Sequence, residues 1–135
     1  MEYNFVVCGE PIAKGRPKFS VVNGIITTHT PKKTTDYEMS VYNSFISYYP
    51  DIDINYENGV EIEIVAYFSI PQSFSKKKKL EMEGKNMLNR PDIDNVCKSI
   101  LDGLNKIFDD KYIFSVKAIK KWSINPRCEI KIKEC

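Results

Sequence analysis

Four cysteines, Cys8, Cys97, Cys128 and Cys135, lie far apart in the chain, and no two form a Cys-x-x-Cys pair. That removes the usual nucleus of a zinc site or dithiol redox motif, and reduced thiols are the expectation. Histidine is scarcer still, with His29 alone. One imidazole disfavours His-based nuclease sites, a Ser-His-Asp triad and most His-ligated zinc centres. Membrane-length apolar runs are missing, and the opening MEYNFVVCGE has no basic segment before its short apolar stretch. A cytoplasmic protein without membrane contact is expected. Repeats and low-complexity linkers are absent too, so residues 1–135 read as one continuous domain.

What is present is enough for a core: 42% hydrophobic and 12% aromatic residues. Charged residues make up 28%, and the net charge is only +2, so the arrangement of charge says more than its sum. Lys14, Arg16, Lys18, Lys32 and Lys33 crowd the first quarter. Lys76, Lys77, Lys78 and Lys79 form a run, and Lys85 and Arg90 lead into an acidic motif. Cations around an acidic centre suit a phosphodiester held by lysine and arginine and cut through a metal. Taken alone, the lysine run reads equally well as a solvated helix start. Lys14-Gly15-Arg16-Pro17-Lys18 has the composition of a basic hook for a DNA groove, or of a loop shaped by Gly and Pro.

Residues 2–8 alternate as a strand, and Asn23-Gly24 suits a tight hairpin turn within 9–31. Tyr37, Val41, Phe45 and Tyr48 fall at helical spacing and predict a helix over 32–49. Residues 59–70 alternate glutamate with isoleucine and then turn apolar, as a strand entering a core does. Ser73–Gly84 reads as a short basic helix. From Asp92 to Phe108, apolar residues recur every three or four positions, a helix with one apolar face. Residues 112–123 and 127–133 read as strands separated by the Asn125-Pro126 turn. The order β, hairpin, α, β, α, α, β, β predicts an α+β domain with helices packed on a mixed sheet.

The chemistry concentrates in Arg90-Pro91-Asp92-Ile93-Asp94-Asn95-Val96-Cys97-Lys98. Ile93 belongs to the apolar face, so Asp94, about 100° further round the helix, is expected at its polar margin, where Asp94, Lys98 and Asn105 share a flank. Asp92 falls at the helix start, able to cap it or to turn toward the same pocket. Asp109-Asp110 follow the helix end, and Asp110 could reach the pocket if helix and next strand pack as neighbours. Three carboxylates make a hard oxygen site suited to Mg²⁺, with Mn²⁺ as a substitute, rather than zinc. Lys98 could then steady charge developing on a phosphate. Singly, each residue has a plainer reading: an N-cap, a surface ion pair, a turn. Asp51-x-Asp53-x-Asn55 imitates a calcium loop but fails it, with Tyr56 where glycine belongs and Ile62 where glutamate belongs.

Asp92-x-Asp94-Asn95-x-x-Lys98-x-x-x-Asp102-x-Leu104, followed by Asp109-Asp110, resembles the signature of the RusA family of Holliday-junction resolvases. Gly9-Glu10-Pro11-x-x-Lys14-Gly15-Arg16-Pro17, then Thr30-Pro31-Lys32-Lys33-Thr34 and Tyr37-Glu38, resemble its phage and prophage branch. The resemblance implies a homodimeric, Mg²⁺-dependent endonuclease of DNA recombination and repair. Such an enzyme takes four-way or branched DNA and nicks two strands of like polarity symmetrically. It further implies that Asp92, Asp94 and Asp110 bind metal, that Lys98 is the catalytic lysine, and that Asp102 and Asp109 support them. Tyr112 stands where the family pattern has glutamine, which leaves Asp109 open beside Asp110 as third ligand. Lys14, Arg16, Lys18, Lys32, Lys33, Lys76, Lys77 and Arg90 are the candidate DNA contacts. Two rival readings are a non-catalytic DNA-binding protein and a metal-dependent nucleotide phosphohydrolase; the basic flanks speak against the second.

Overall fold

A computed structural model describes residues 1–135. Strand β1 (Glu2–Cys8) is followed by a hairpin, β2 (Lys18–Val22) and β3 (Ile25–His29), then helix α1 (Lys32–Tyr48). Strand β4 (Val60–Ser69), helices α2 (Lys76–Met82) and α3 (Ile93–Leu104), and strands β5 (Ile113–Ser123) and β6 (Arg127–Glu134) complete the chain. The expected α+β class and mixed sheet are present. The main sheet has the order β1-β6-β4-β5, with β4 and β5 parallel and the other pairs antiparallel.

A parallel pair needs a crossover, and the segment carrying α2 and α3 supplies it. Strands β5 and β6 do not pair with each other: β4 lies between them, and Ile124–Pro126 crosses its end. The alternation in β4 explains its place. Val60, Ile62, Ile64, Ala66 and Phe68 are buried toward the helices, whereas Glu61 and Glu63 look outward to Lys131 and Lys133. One face of the sheet is thus covered by α1 and α3, and the other carries charge pairs. Ile54, within the failed calcium motif, is a buried core residue instead. No helix is long and apolar enough to cross a membrane.

Two local features position the site. Gly103 lets α3 approach α1 closely, since a Cβ there would lie 2.8 Å from Val41 Cβ and 2.9 Å from the Glu38 carbonyl oxygen. The segment after α2 adds to the second half of β5 through main-chain bonds: Trp122 N–H to Lys85 O, 2.9 Å, and Met87 N–H to Lys120 O, 3.0 Å. That strap delivers Asn89–Asp92 to the start of α3. The hairpin turns at Asn23-Gly24, both with positive φ (53° and 78°), as a tight two-residue turn requires.

Candidate functional site

Asp92 occupies the N-cap position of α3, but its carboxylate makes no capping hydrogen bond. The Asn95 amide, one of those an N-cap side chain would satisfy, donates to Asp94 Oδ1 instead, while Val96 N–H makes the ordinary first helical bond to Asp92 O at 3.2 Å. An aspartate at an N-cap normally gains about 1 kcal/mol by capping, so this one is left free for another partner. Asp94, in the first turn, accepts only from the Asn95 amide at 2.9 Å, and both aspartates are exposed. The positive end of the helix favours anionic groups there.

The turn is gripped from both sides. The Lys14 amide donates to Asn95 O at 2.8 Å. From β5, the Lys120 ammonium donates to Asn89 O at 2.7 Å and Pro91 O at 2.6 Å. Lys120 escaped the sequence reading because it stands in an ordinary strand, and its partners are main-chain atoms that leave no side-chain pattern.

Lys98 extends from the next turn to Asp102 Oδ1 at 2.9 Å, not to Asp94, and is 57% exposed. Asp102 Oδ2 accepts from Lys14 Nζ at 2.9 Å, and Lys14 also donates to Glu38 Oε1 at 2.7 Å. Burial alone would raise the Asp102 pKa, but hydrogen bonds from Lys14 and then Lys98 pull it below its ordinary value. Burial likewise opposes the charge on Lys14, and the bonds to Glu38 and Asp102 outweigh it and raise that pKa. Glu38 is buried and was missed from sequence beyond its membership of the N-terminal pattern.

Asp109 and Asp110 differ. The Asp109 carboxylate caps a short 3₁₀ turn by accepting from Lys111 N–H at 2.9 Å. The Asp110 amide donates to Asn105 Oδ1 at 2.9 Å, while its carboxylate has no hydrogen-bond partner among the side-chain bonds of the molecule. Asn105 ends α3, so Asp110 stands at the opposite end of the helix from Asp92 and Asp94. Twelve residues of helix span about 18 Å. The expected convergence of all three carboxylates therefore does not occur within one chain, and no three acidic, histidine or cysteine groups are close enough to share an ion. The reason is topological: β5 returns antiparallel to α3, so the turn preceding it belongs to the helix's C-terminal end.

Of the candidate DNA contacts, Arg16, Lys18, Lys32, Lys33, Lys76, Lys77 and Arg90 are exposed, and none is in a salt bridge. Lys14 is the exception, occupied by two carboxylates. Arg90 and Lys33 line one open groove with Trp122, beside Pro91 at the entrance to the acidic turn.

The sequence model of a family described as Endodeoxyribonuclease RusA matches residues 9–133. A Bacillus subtilis (strain 168) protein, described as Uncharacterized protein YqaN, is 34% identical over 136 residues, spanning 96% of this chain and 94% of its own length.

Proposed function

Because the chain belongs to the RusA endodeoxyribonuclease family, we propose that it is a Mg²⁺-dependent, structure-selective endonuclease that resolves four-way DNA junctions by paired symmetric nicks in recombination and repair. The observation that carries the reading is the exposed Asp92–Asp94 pair, left uncapped at a helix N-terminus and flanked by unpaired cations. Carboxylate oxygens alone fit a hard cation such as Mg²⁺ or Mn²⁺. When bound, the ion supplies charge neutralisation at the scissile phosphate and a polarised water.

The chain's own groups do the rest. Asp92 and Asp94 would hold the ion, and Arg90 with Lys33 would grip the phosphate backbone at the entrance. Lys98, exposed and held by a single carboxylate oxygen, swings from Asp102 to the phosphate as negative charge develops there. Asp110 supplies the third carboxylate, its oxygens being free where those of Asp109 are spent on a cap.

Within one chain the two ends of α3 lie about 18 Å apart, so a second copy is the proposed source of the third carboxylate. A C2 homodimer with antiparallel α3 helices would set Asp94 of one protomer against Asp110 of the partner subunit, and its twofold would complete two equal sites together. Two equal sites suit two matched cuts. A non-catalytic DNA-binding role leaves Asp92 and Asp110 unexplained, and a nucleotide phosphohydrolase has no use for seven exposed cations on its flanks.

The test is cleavage of a labelled synthetic four-way junction and of its linear duplex arms in Mg²⁺. Paired nicks in the junction alone, lost in Asp94→Asn while binding persists, are expected. Binding without cutting in either protein, across Mg²⁺ and Mn²⁺, would overturn the endonuclease reading.

A further inference from the structure

We propose that Lys14, in the basic N-terminal loop, is a positioning residue for Lys98, acting through Asp102, and makes no phosphate contact. The inference rests on the endonuclease reading above, in which Lys98 meets the phosphate.

Three observations carry it. First, the Lys14 ammonium is committed: Glu38 Oε1 lies at 2.7 Å and Asp102 Oδ2 at 2.9 Å, and the side chain is only 22% exposed. Moving it to a phosphate would leave Glu38, 10% exposed, as an uncompensated charge and Asp102 with Lys98 alone, which is strongly unfavourable. Arg16, in the same loop, and Lys18, which opens β2, are exposed and have no carboxylate partner. Second, Asp102 divides its two oxygens, Oδ2 to Lys14 and Oδ1 to Lys98 at 2.9 Å. Lys14 therefore fixes the rotation of the Asp102 carboxylate, and that carboxylate fixes where the exposed Lys98 ammonium waits. Third, the loop is anchored without the Lys14 side chain, by Lys14 N–H to Asn95 O at 2.8 Å and Gly15 N–H to Thr34 Oγ1 at 3.0 Å. Shortening or neutralising the side chain leaves the loop docked and releases only the ion pairs.

A phosphate contact and a positioning contact have different signatures. Each phosphate neutralised by a lysine contributes about 0.9 to the slope of log affinity against log salt. A positioning residue leaves that slope alone and slows the reaction, by about 10–100-fold for a residue that orients a catalytic group.

The experiment measures junction affinity in Ca²⁺ between 50 and 200 mM salt, and single-turnover cleavage in Mg²⁺ at saturating protein. Lys14→Met, Lys14→Arg, Asp102→Asn and the double variant Lys14→Met with Asp102→Asn are compared, with Arg16→Gln as the phosphate control. Lys14→Met is expected to keep the wild-type salt slope and to lose about tenfold or more in cleavage rate. Lys14→Arg should recover most of the rate. Asp102→Asn should slow cleavage to a similar degree, and the double variant should be no slower than the worse single. Arg16→Gln, the phosphate control, should lower the slope by about 0.9.

A slope reduced by about 0.9 in Lys14→Met, or a cleavage rate equal to wild type, overturns the proposal. If Lys14→Met loses its thermal unfolding transition, Asp102→Asn decides, since it retains Lys14; wild-type cleavage by that variant overturns the proposal equally. A wild-type protein that binds junctions but never cuts would sink the endonuclease reading instead, and the salt slope of Lys14→Met would still judge Lys14.

Discussion

The two ends of helix α3 carry the same kind of side chain under opposite conditions. At the N-terminal end, Asp92 and Asp94 are exposed, and the cap position goes unused by its own carboxylate. At the C-terminal end, Asp109 does cap, and the neighbouring Asp110 is held only by its main-chain amide on Asn105. Between them, Asp102 is locked by two lysines. Identical carboxylates thus divide into those spent on structure and those kept available. The difference supplies the physical ground for the proposed site: it is assigned to the aspartates whose carboxylates the fold leaves largely unspent.

The largest effect expected from this contrast is on catalysis. Asp94→Asn and Asp110→Asn, at opposite ends of the helix, should each lower junction cleavage by roughly a thousandfold, several kcal/mol of transition-state stabilisation, with binding in Ca²⁺ retained. Junction cleavage by Asp110→Asn at the wild-type rate would break the pairing of the two ends. Next comes the helix crossing that brings Glu38 beside Asp102. Gly103→Ala drives a Cβ against Val41 and the Glu38 carbonyl, and should cost about 1–3 kcal/mol in urea unfolding. A stability equal to wild type would show that α3 can slide without penalty. A smaller effect separates Asp109 from Asp110. Asp109→Asn should cost at most about 1 kcal/mol as a weakened cap and leave cleavage within a few-fold of wild type.

The smallest effect is pH dependence of stability through the Lys14–Asp102 contact. The Asp102 pKa is lowered in the fold, so its contribution is present above the unfolded carboxylate range and fades as pH falls through the folded value. The Lys14 pKa is raised, so its contribution is complete below the unfolded lysine value and is lost as pH rises through the folded one. Melting temperature, followed across pH, should therefore lose part of its acid-side decline in Asp102→Asn. A decline identical to wild type would deny Asp102 any share of it.

Much of this was legible in the sequence. The three-and-four spacing marked α3, although Ile93, read as part of its apolar face, is 39% exposed in the first turn; the alternation of Val60 to Phe68 marked the central strand, and Asn23-Gly24 marked the hairpin. These are local periodicities, and burial simply acts on them. The helix itself stops at Leu104 rather than continuing to Phe108, because the chain turns at Asn105 to cap itself with Lys106–Phe108 amides on Gly103 and Leu104 carbonyls. The acidic residues were legible as a motif, but their placement in the fold was not. Placing Asp110 at the far end of α3 from Asp94 needed the path of the chain from Asn105 into β5, which the spacing of the motif does not carry. Lys14 shows the same limit from the other side. In sequence it is one cation of a basic loop, and only the fold sets it against Glu38 of α1 and Asp102 of α3.

The most direct test of the account is complementation between the two ends of α3. Asp94→Asn and Asp110→Asn, each inactive alone, would be co-expressed with different affinity tags, and the doubly tagged heterodimer assayed on a four-way junction in Mg²⁺. If each site joins Asp94 of one protomer to Asp110 of the other, one site carries both substitutions and the other carries neither. The account predicts that nicking returns in the heterodimer, as single nicks without paired resolution. A verified heterodimer as inactive as its parents would contradict it.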